Sequence, residues 1–309
     1  LTLAVVATHL SWQLSLAGLC LGVLVGMTGM GGGSLMTPLL ILLFGFNPTV
    51  AVGTDILHGA ISKSFGAVRH RMLGHVHARL TFWMFIGSGP MSLLGVWIAS
   101  GFGEHAKVQQ ERAIGAALVL GGVGFLLKTY VRRGVQPSEA PFLLRNRDRL
   151  IAFALGASGG FVVGLTSVGS GTFFGLVMLL VFPLTAQRIV GTDLFHAAAL
   201  LWVAGIGHLA FGNVDLRAIG WLLIGSVPGI LIGSQLTVGI AERTLRIAFS
   251  CVLMLSGFKL LSPLPSTWTD RIVGAALGMG LLALGAWAAN WWRGRRRDRG
   301  GFLEKAQTP

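Results

Sequence analysis

From Leu1 to Thr54 the chain contains no Asp, Glu, Lys or Arg. The same holds from Leu80 to Gly103, from Leu150 to Gln187 and from Ala218 to Ala241. Each window exceeds the roughly 20 apolar residues that cross the hydrocarbon core of a bilayer. None offers the polar stripe that a helix on the surface of a soluble protein needs. Only 11% of the 309 residues are charged and 53% are hydrophobic, against about 25% charged in an ordinary soluble domain. A chain of this kind reads as an all-α, polytopic membrane bundle.

The net charge of +13 does not point to nucleic acid. The basic residues form short blocks between apolar spans, the pattern of cytoplasmic loops. The clearest blocks are Arg132/Arg133, Arg145/Arg147/Arg149 and Arg293, Arg295, Arg296, Arg297 and Arg299. Cys20 and Cys251 both fall in apolar spans and read as small packing residues. The first span has neither a basic leader nor a cleavage site, so it is not expected to be a removable signal.

The chain repeats itself at an offset of 138 residues. Gly26-Met-Thr-Gly-Met-Gly-Gly-Gly-Ser34 matches Gly164-Leu-Thr-Ser-Val-Gly-Ser-Gly-Thr172, and Val52-Gly-Thr-Asp-Ile-Leu-His58 matches Val190-Gly-Thr-Asp-Leu-Phe-His196. His70 aligns with His208, Trp83 with Trp221 and Pro90 with Pro228. Residues 26–95 and 164–233 share 23 identities in 70 ungapped positions. Hydrophobic composition alone cannot place Gly, Thr, Asp, His, Trp and Pro in register, so the chain is a duplication.

Apolar segments are expected near 10–30, 35–46, 52–68, 80–101 and 112–130, and again near 150–168, 173–185, 190–208, 218–240 and 246–262. The organisation is then a first transmembrane repeat at 1–130, a basic linker at 131–149 and a second repeat at 150–262. An extra helix at 272–292 and a basic tail at 293–309 follow. Linker and tail are cytoplasmic by the positive-inside rule. Loop 69–79, with Arg69, Arg71 and Arg79, falls on the same side, and its counterpart 207–217 on the other. Five elements per half, an odd number, predict two repeats of inverted orientation.

Two features could carry chemistry. In the first, glycines break an apolar run before a segment of about 12 residues, which at 1.5 Å per residue is too short for a core of about 30 Å. Broken helices leave bare backbone groups, tolerated at that depth only inside protein or against a watery cavity, and a helix N-terminus attracts anions. The candidate binding residues are Thr28, Gly29, Gly31, Gly32, Gly33 and Ser34, and in the mate Thr166, Ser167, Gly169, Ser170, Gly171 and Thr172. Close helix packing by small residues is the plainer alternative. A nucleotide phosphate loop is excluded, because no Gly-Lys-Ser/Thr follows.

The second is Gly-Thr-Asp-x-x-His, with Asp55 and His58 on one helix face and Asp193 and His196 on another. Intramembrane acids are costly and mark coupling or substrate positions. Helix capping is the alternative for the aspartates, and packing for the histidines. Lys63, near Arg69, reads as snorkelling to the interface, as do Lys128 and Lys259. Trp12, Trp97, Trp268, Trp287, Trp291 and Trp292 read as interface anchors. Pro90 and Pro228 should kink their helices. His70, His75 and His77 read as part of a solvated basic loop. No nucleophile with a paired base is found, so no enzymatic activity is expected, and no cofactor.

At these residues the chain resembles the sulfite exporter TauE/SafE family of permeases. The likeness rests on Gly26–Ser34, Pro48, Val52-Gly-Thr-Asp55 and the echo ending in Gly191-Thr-Asp193, and it covers about 14–262. It implies a permease of the cell membrane that moves a small anion such as sulfite, a sulfonate or a related carboxylate, with the two glycine turns around a central site. Coupling to protons or sodium, contact with the bilayer and self-association fit the same picture. The rival reading is a divalent metal or other cation permease with Asp55, His58, Asp193 and His196 as ligands.

Overall fold

The computed structural model describes residues 2–28, 33–101, 107–130, 142–169, 171, 173–236 and 242–262. The expected helix at 272–292, the tail at 293–309 and most of the linker lie outside these residues. The described elements are helices: α1 (Thr2–Thr28), α2 (Gly33–Leu42), α3 (Pro48–Met72), α4 (Ala78–Gly101), α5 (Lys107–Tyr130), α6 (Asn146–Thr166), α7 (Phe173–Val181), α8 (Ala186–Ala210), α9 (Leu216–Leu236) and α10 (Glu242–Leu261). Among the described residues, five stretches are long and apolar enough to cross a membrane: Ala78–Gly101, Val108–Leu127, Asn146–Thr166, Ala186–Ala210 and Leu216–Gly233.

The two short elements expected from the glycine breaks are present. α2 has 10 residues and α7 has 9, about 15 Å of helix or less. In the second half the break itself is visible. α6 ends at Ser167, whose φ of 62° is left-handed and whose N–H returns to the Val163 carbonyl. Gly169 follows at φ 107°, a backbone that L side chains rarely adopt. Pro48 starts α3 after Asn47, whose side chain accepts from the Thr49 N–H, and Thr185 caps α8 in the same way through Arg188. Caps therefore fall before the Gly-Thr-Asp segments. Asp55 and Asp193 sit inside their helices, and the capping alternative does not apply to them.

The helices pair across the two repeats. α1 packs along α9 and α6 along α4, while α3 meets α8 and α5 meets α10. Under the 138-residue shift each pairing maps onto another or onto itself. Glycines make the first two crossings close. A Cβ on Gly156 or Gly164 would overlap the carbonyl oxygen of Met84 or Ser92, and one on Gly225 or Gly233 that of Ser15 or Val23. With little hydrophobic drive between helices in lipid, such backbone approach is what holds them together. Gly156→Leu should cost toward the upper end of about 1–3 kcal/mol by overpacking. Gly220→Leu, where a Cβ meets nothing, should leave the melting curve unchanged. Equal melting of the two purified variants would contradict this packing.

The Gly-Thr pair of the duplicated motif has a structural task. Gly53 leaves room for the Asn213 carbonyl and Gly191 for the His75 carbonyl. Beside them, Thr54 Oγ1 accepts the Asp215 N–H at 3.0 Å and Thr192 Oγ1 accepts the His77 N–H at 3.0 Å. Each motif thus clasps the turn between two helices of the other repeat.

Candidate functional site

A cavity of about 400 Å³ lies between α1, α2, α3, α8 and α9. Its lining follows α3 from Asp55 through His58, Ser62 and Lys63 to Arg69 and His70, faced by Gly26, Met36, Leu194 and Ser226. At about 1.5 Å per residue, Asp55 to His70 makes a shaft on the order of 20 Å long. It is walled mainly by apolar side chains, with polar groups around positions 55–63 and again at Arg69 and His70.

Asp55 is 1% exposed. Its Oδ2 accepts the Thr37 hydroxyl at 2.6 Å and the Ser167 hydroxyl at 2.9 Å. One carboxylate oxygen of α3 therefore ties the short helix of its own repeat to the glycine turn of the other. Oδ1 has no hydrogen-bond partner among the described residues. Ser167 reaches Asp55 from a left-handed backbone, which costs a non-glycine residue roughly 1–2 kcal/mol. Its counterpart under the repeat is Gly29.

Lys63 departs from the expectation. It does not snorkel to the interface. It is 6% exposed and lines the cavity, because α3 continues to Met72. Its ammonium interacts electrostatically with Asp193, and less with Asp55. The repeat is broken here: Lys63 corresponds to Leu201, Thr37 to Gly175 and Ser62 to Leu200. Chemistry-bearing side chains are concentrated on one of two otherwise matching surfaces. A polar residue present in one repeat and apolar in the other is the signal that could have singled out Lys63.

The duplicated histidines behave as a matched pair. His58 Nε2 shares a 2.9 Å hydrogen bond with Ser226 Oγ, and His196 Nε2 a 2.9 Å bond with Ser88 Oγ. His58 faces the cavity; His196 does not. His196 is sealed under Phe174, a fully buried ring 4.6 Å away edge-on that occupies the space beside Gly159. Phe174 corresponds to Met36, which lines the open cavity. The position equivalent to the cavity-lining Met36 is thus taken by a buried aromatic ring.

Other expected site residues separate. Thr166 bonds back to the Val162 carbonyl at 2.7 Å and accepts the Val168 N–H, so its hydroxyl belongs to its own helix end. Ser167, Gly169 and Gly171 are buried, and none of the described residues of that turn lines the cavity. Gly29, Gly31, Gly32, Ser170 and Thr172 lie outside the described residues, as do the side chains of Thr28 and Ser34. Among the described residues no three His, Cys, Asp or Glu side chains group as a metal site. The four-ligand arrangement of Asp55, His58, Asp193 and His196 is therefore not formed: each histidine is turned to a serine of the other repeat. In the loop after α3, His77 Nε2 donates to the Phe142 carbonyl at 3.0 Å, and His75 Nδ1 lies 3.4 Å from that of His70, which is not in the loop as expected but in the last turn of α3, lining the cavity.

The description "Sulfite exporter TauE/SafE" belongs to a family model that matches residues 14–260. The chain belongs to the sulfite exporter TauE/SafE family. Its relatives include the "Probable membrane transporter protein YjnA" of Bacillus subtilis, 37% identical over 82% of this chain and 100% of that one. YdhB of the same bacterium, also named a probable membrane transporter protein, is 23% identical over 78% of this chain and 96% of its own. The like-named y4hK of Sinorhizobium fredii is 26% identical over 71% and 85%. No solved structure matches the chain. As a TauE/SafE member it is a multi-pass membrane transporter.

Proposed function

We propose that this transporter is a secondary permease for a small anion, such as sulfite, a sulfonate or a related carboxylate, working by alternating access in the cell membrane. The carrying observation is the cavity between the repeats with a buried lysine in its wall and hydroxyls beside it. Lys63, Ser62 and Ser226 supply donors to an oxyanion, and Arg69 and His70 stand at the outer end of the same helix. An anion at Lys63 competes with the Asp193 and Asp55 carboxylates for its ammonium. Asp55 ties the broken elements of both repeats to that place, so loading and movement of the turns are linked through one carboxylate. The basic linker and tail belong on the cytoplasmic side, with the repeats inverted and a proton or sodium ion as coupling partner.

The test is uptake into vesicles reconstituted with purified protein, using labelled sulfite, methanesulfonate and acetate. Wild-type protein should take up at least one of them saturably. Lys63→Met should reduce that uptake at least tenfold, and so should Gly169→Val, whose β-branched side chain cannot hold the left-handed turn. Full uptake by both variants would defeat the reading.

A further inference from the structure

We infer that the cargo is an organic anion with an apolar tail, its oxyanion head at the level of Lys63 and its tail along Leu194, rather than a bare inorganic oxyanion. This rests on the anion reading above. Helix packing gives the order of depth along the shaft. Gly59 lies opposite Leu201, with a built Cβ 3.3 Å from its Cδ1, and Gly66 opposite Leu194, at 2.7 Å from its Cδ2. α8 therefore runs past α3 in the opposite sense, and Val190 falls beyond Leu194 toward Arg69. From Lys63 outward the shaft is walled by Leu194 and Val190 on α8 and Phe65 on α3, with Val25 of α1 and Ile230 of α9 among its other lining residues, and the apolar stretch ends at Arg69 and His70. The head cannot go deeper, because the Asp55 carboxylate stands at the floor. It is held by Lys63 and Ser62, and whatever it carries lies against the apolar wall.

Size agrees. A cavity of about 400 Å³ holds about a dozen waters at ~30 Å³ each. An inorganic oxyanion of a few heavy atoms would leave most of that wall wet. A pocket that is mainly apolar with a few placed polar groups is built for a ligand of matching character. Each methylene buried along it should raise affinity about fourfold.

The experiment titrates purified protein in lipid nanodiscs with sulfite, methanesulfonate, propanesulfonate, butanesulfonate and butylammonium, reading apparent affinity from the rise in melting midpoint. Butanesulfonate should bind about sixtyfold more tightly than methanesulfonate, and more tightly than sulfite. Butylammonium should not stabilise. Leu194→Asn should flatten the chain-length series while methanesulfonate still binds. Anions that bind with no dependence on chain length would overturn the tail assignment and leave the anion permease standing. Butylammonium matching butanesulfonate would overturn the head assignment. Stabilisation by none of the anions would overturn both.

Discussion

Asp193→Leu will destabilise the protein severely, and Lys63→Leu added to it will restore most of the loss without restoring transport. Asp193 is the foremost electrostatic partner of Lys63, and both side chains are buried. Removing one member of a buried pair leaves an uncompensated charge, a loss of about 3–5 kcal/mol, whereas replacing both with apolar residues is often close to neutral. The second repeat already holds leucine at the position of Lys63, namely Leu201, so an apolar side chain suits that register of the bundle. The double variant keeps the helices together and loses the lysine that lines the cavity. Melting of the four proteins of the cycle measures the coupling, and uptake into vesicles measures the function. A double variant no more stable than Asp193→Leu would show that the two charges do not depend on each other.

The second large effect concerns Phe174. Truncation to Ala should cost about 3–5 kcal/mol, as for other buried aromatics, since the ring fills the space between Gly159 and His196. Phe174→Met is more informative, because methionine is the residue the first repeat uses at the equivalent position, Met36, and it adapts to irregular space. That variant should fold and should hollow out the surface around His196 that corresponds to the existing cavity. A cysteine at Leu200, the counterpart of Ser62, reports on it in a background with Cys20 and Cys251 changed to serine. It should react with a water-soluble maleimide several-fold faster when position 174 is Met than when it is Phe. Equal rates would mean that Phe174 does not seal that surface.

Much of this architecture could be read from the residues alone. Charge-free windows gave the helices, the offset gave the duplication, and the glycines before Leu35 and Phe173 gave the two short elements. Four things were not legible. Charge and periodicity say which residues avoid water but not which helix another helix meets, so the pairing of α1 with α9 and of α6 with α4 was hidden. The clasp made by Thr54 and Thr192 was hidden for the same reason, since its partners lie in the opposite repeat. Lys63 was misread because a lysine shortly before an arginine resembles a helix end. The helix in fact runs on to Met72 and buries the ammonium among carboxylates. Nor could the partner of the second glycine turn be read: Ser167 donates to Asp55 of the other repeat, and the described residues of that turn do not line the cavity.

The crossed pairing of the helices bears on how the protein is made. Ser15 of α1 donates to the Trp221 carbonyl on α9, 206 residues further along. A ribosome that has finished α1 must synthesise the 187 residues between Thr28 and Leu216 before the partner of that helix begins to emerge. Meanwhile the glycine face of α1 waits in lipid or beside the insertion machinery. The two repeats made as separate polypeptides should therefore accumulate only when produced together, each being degraded alone.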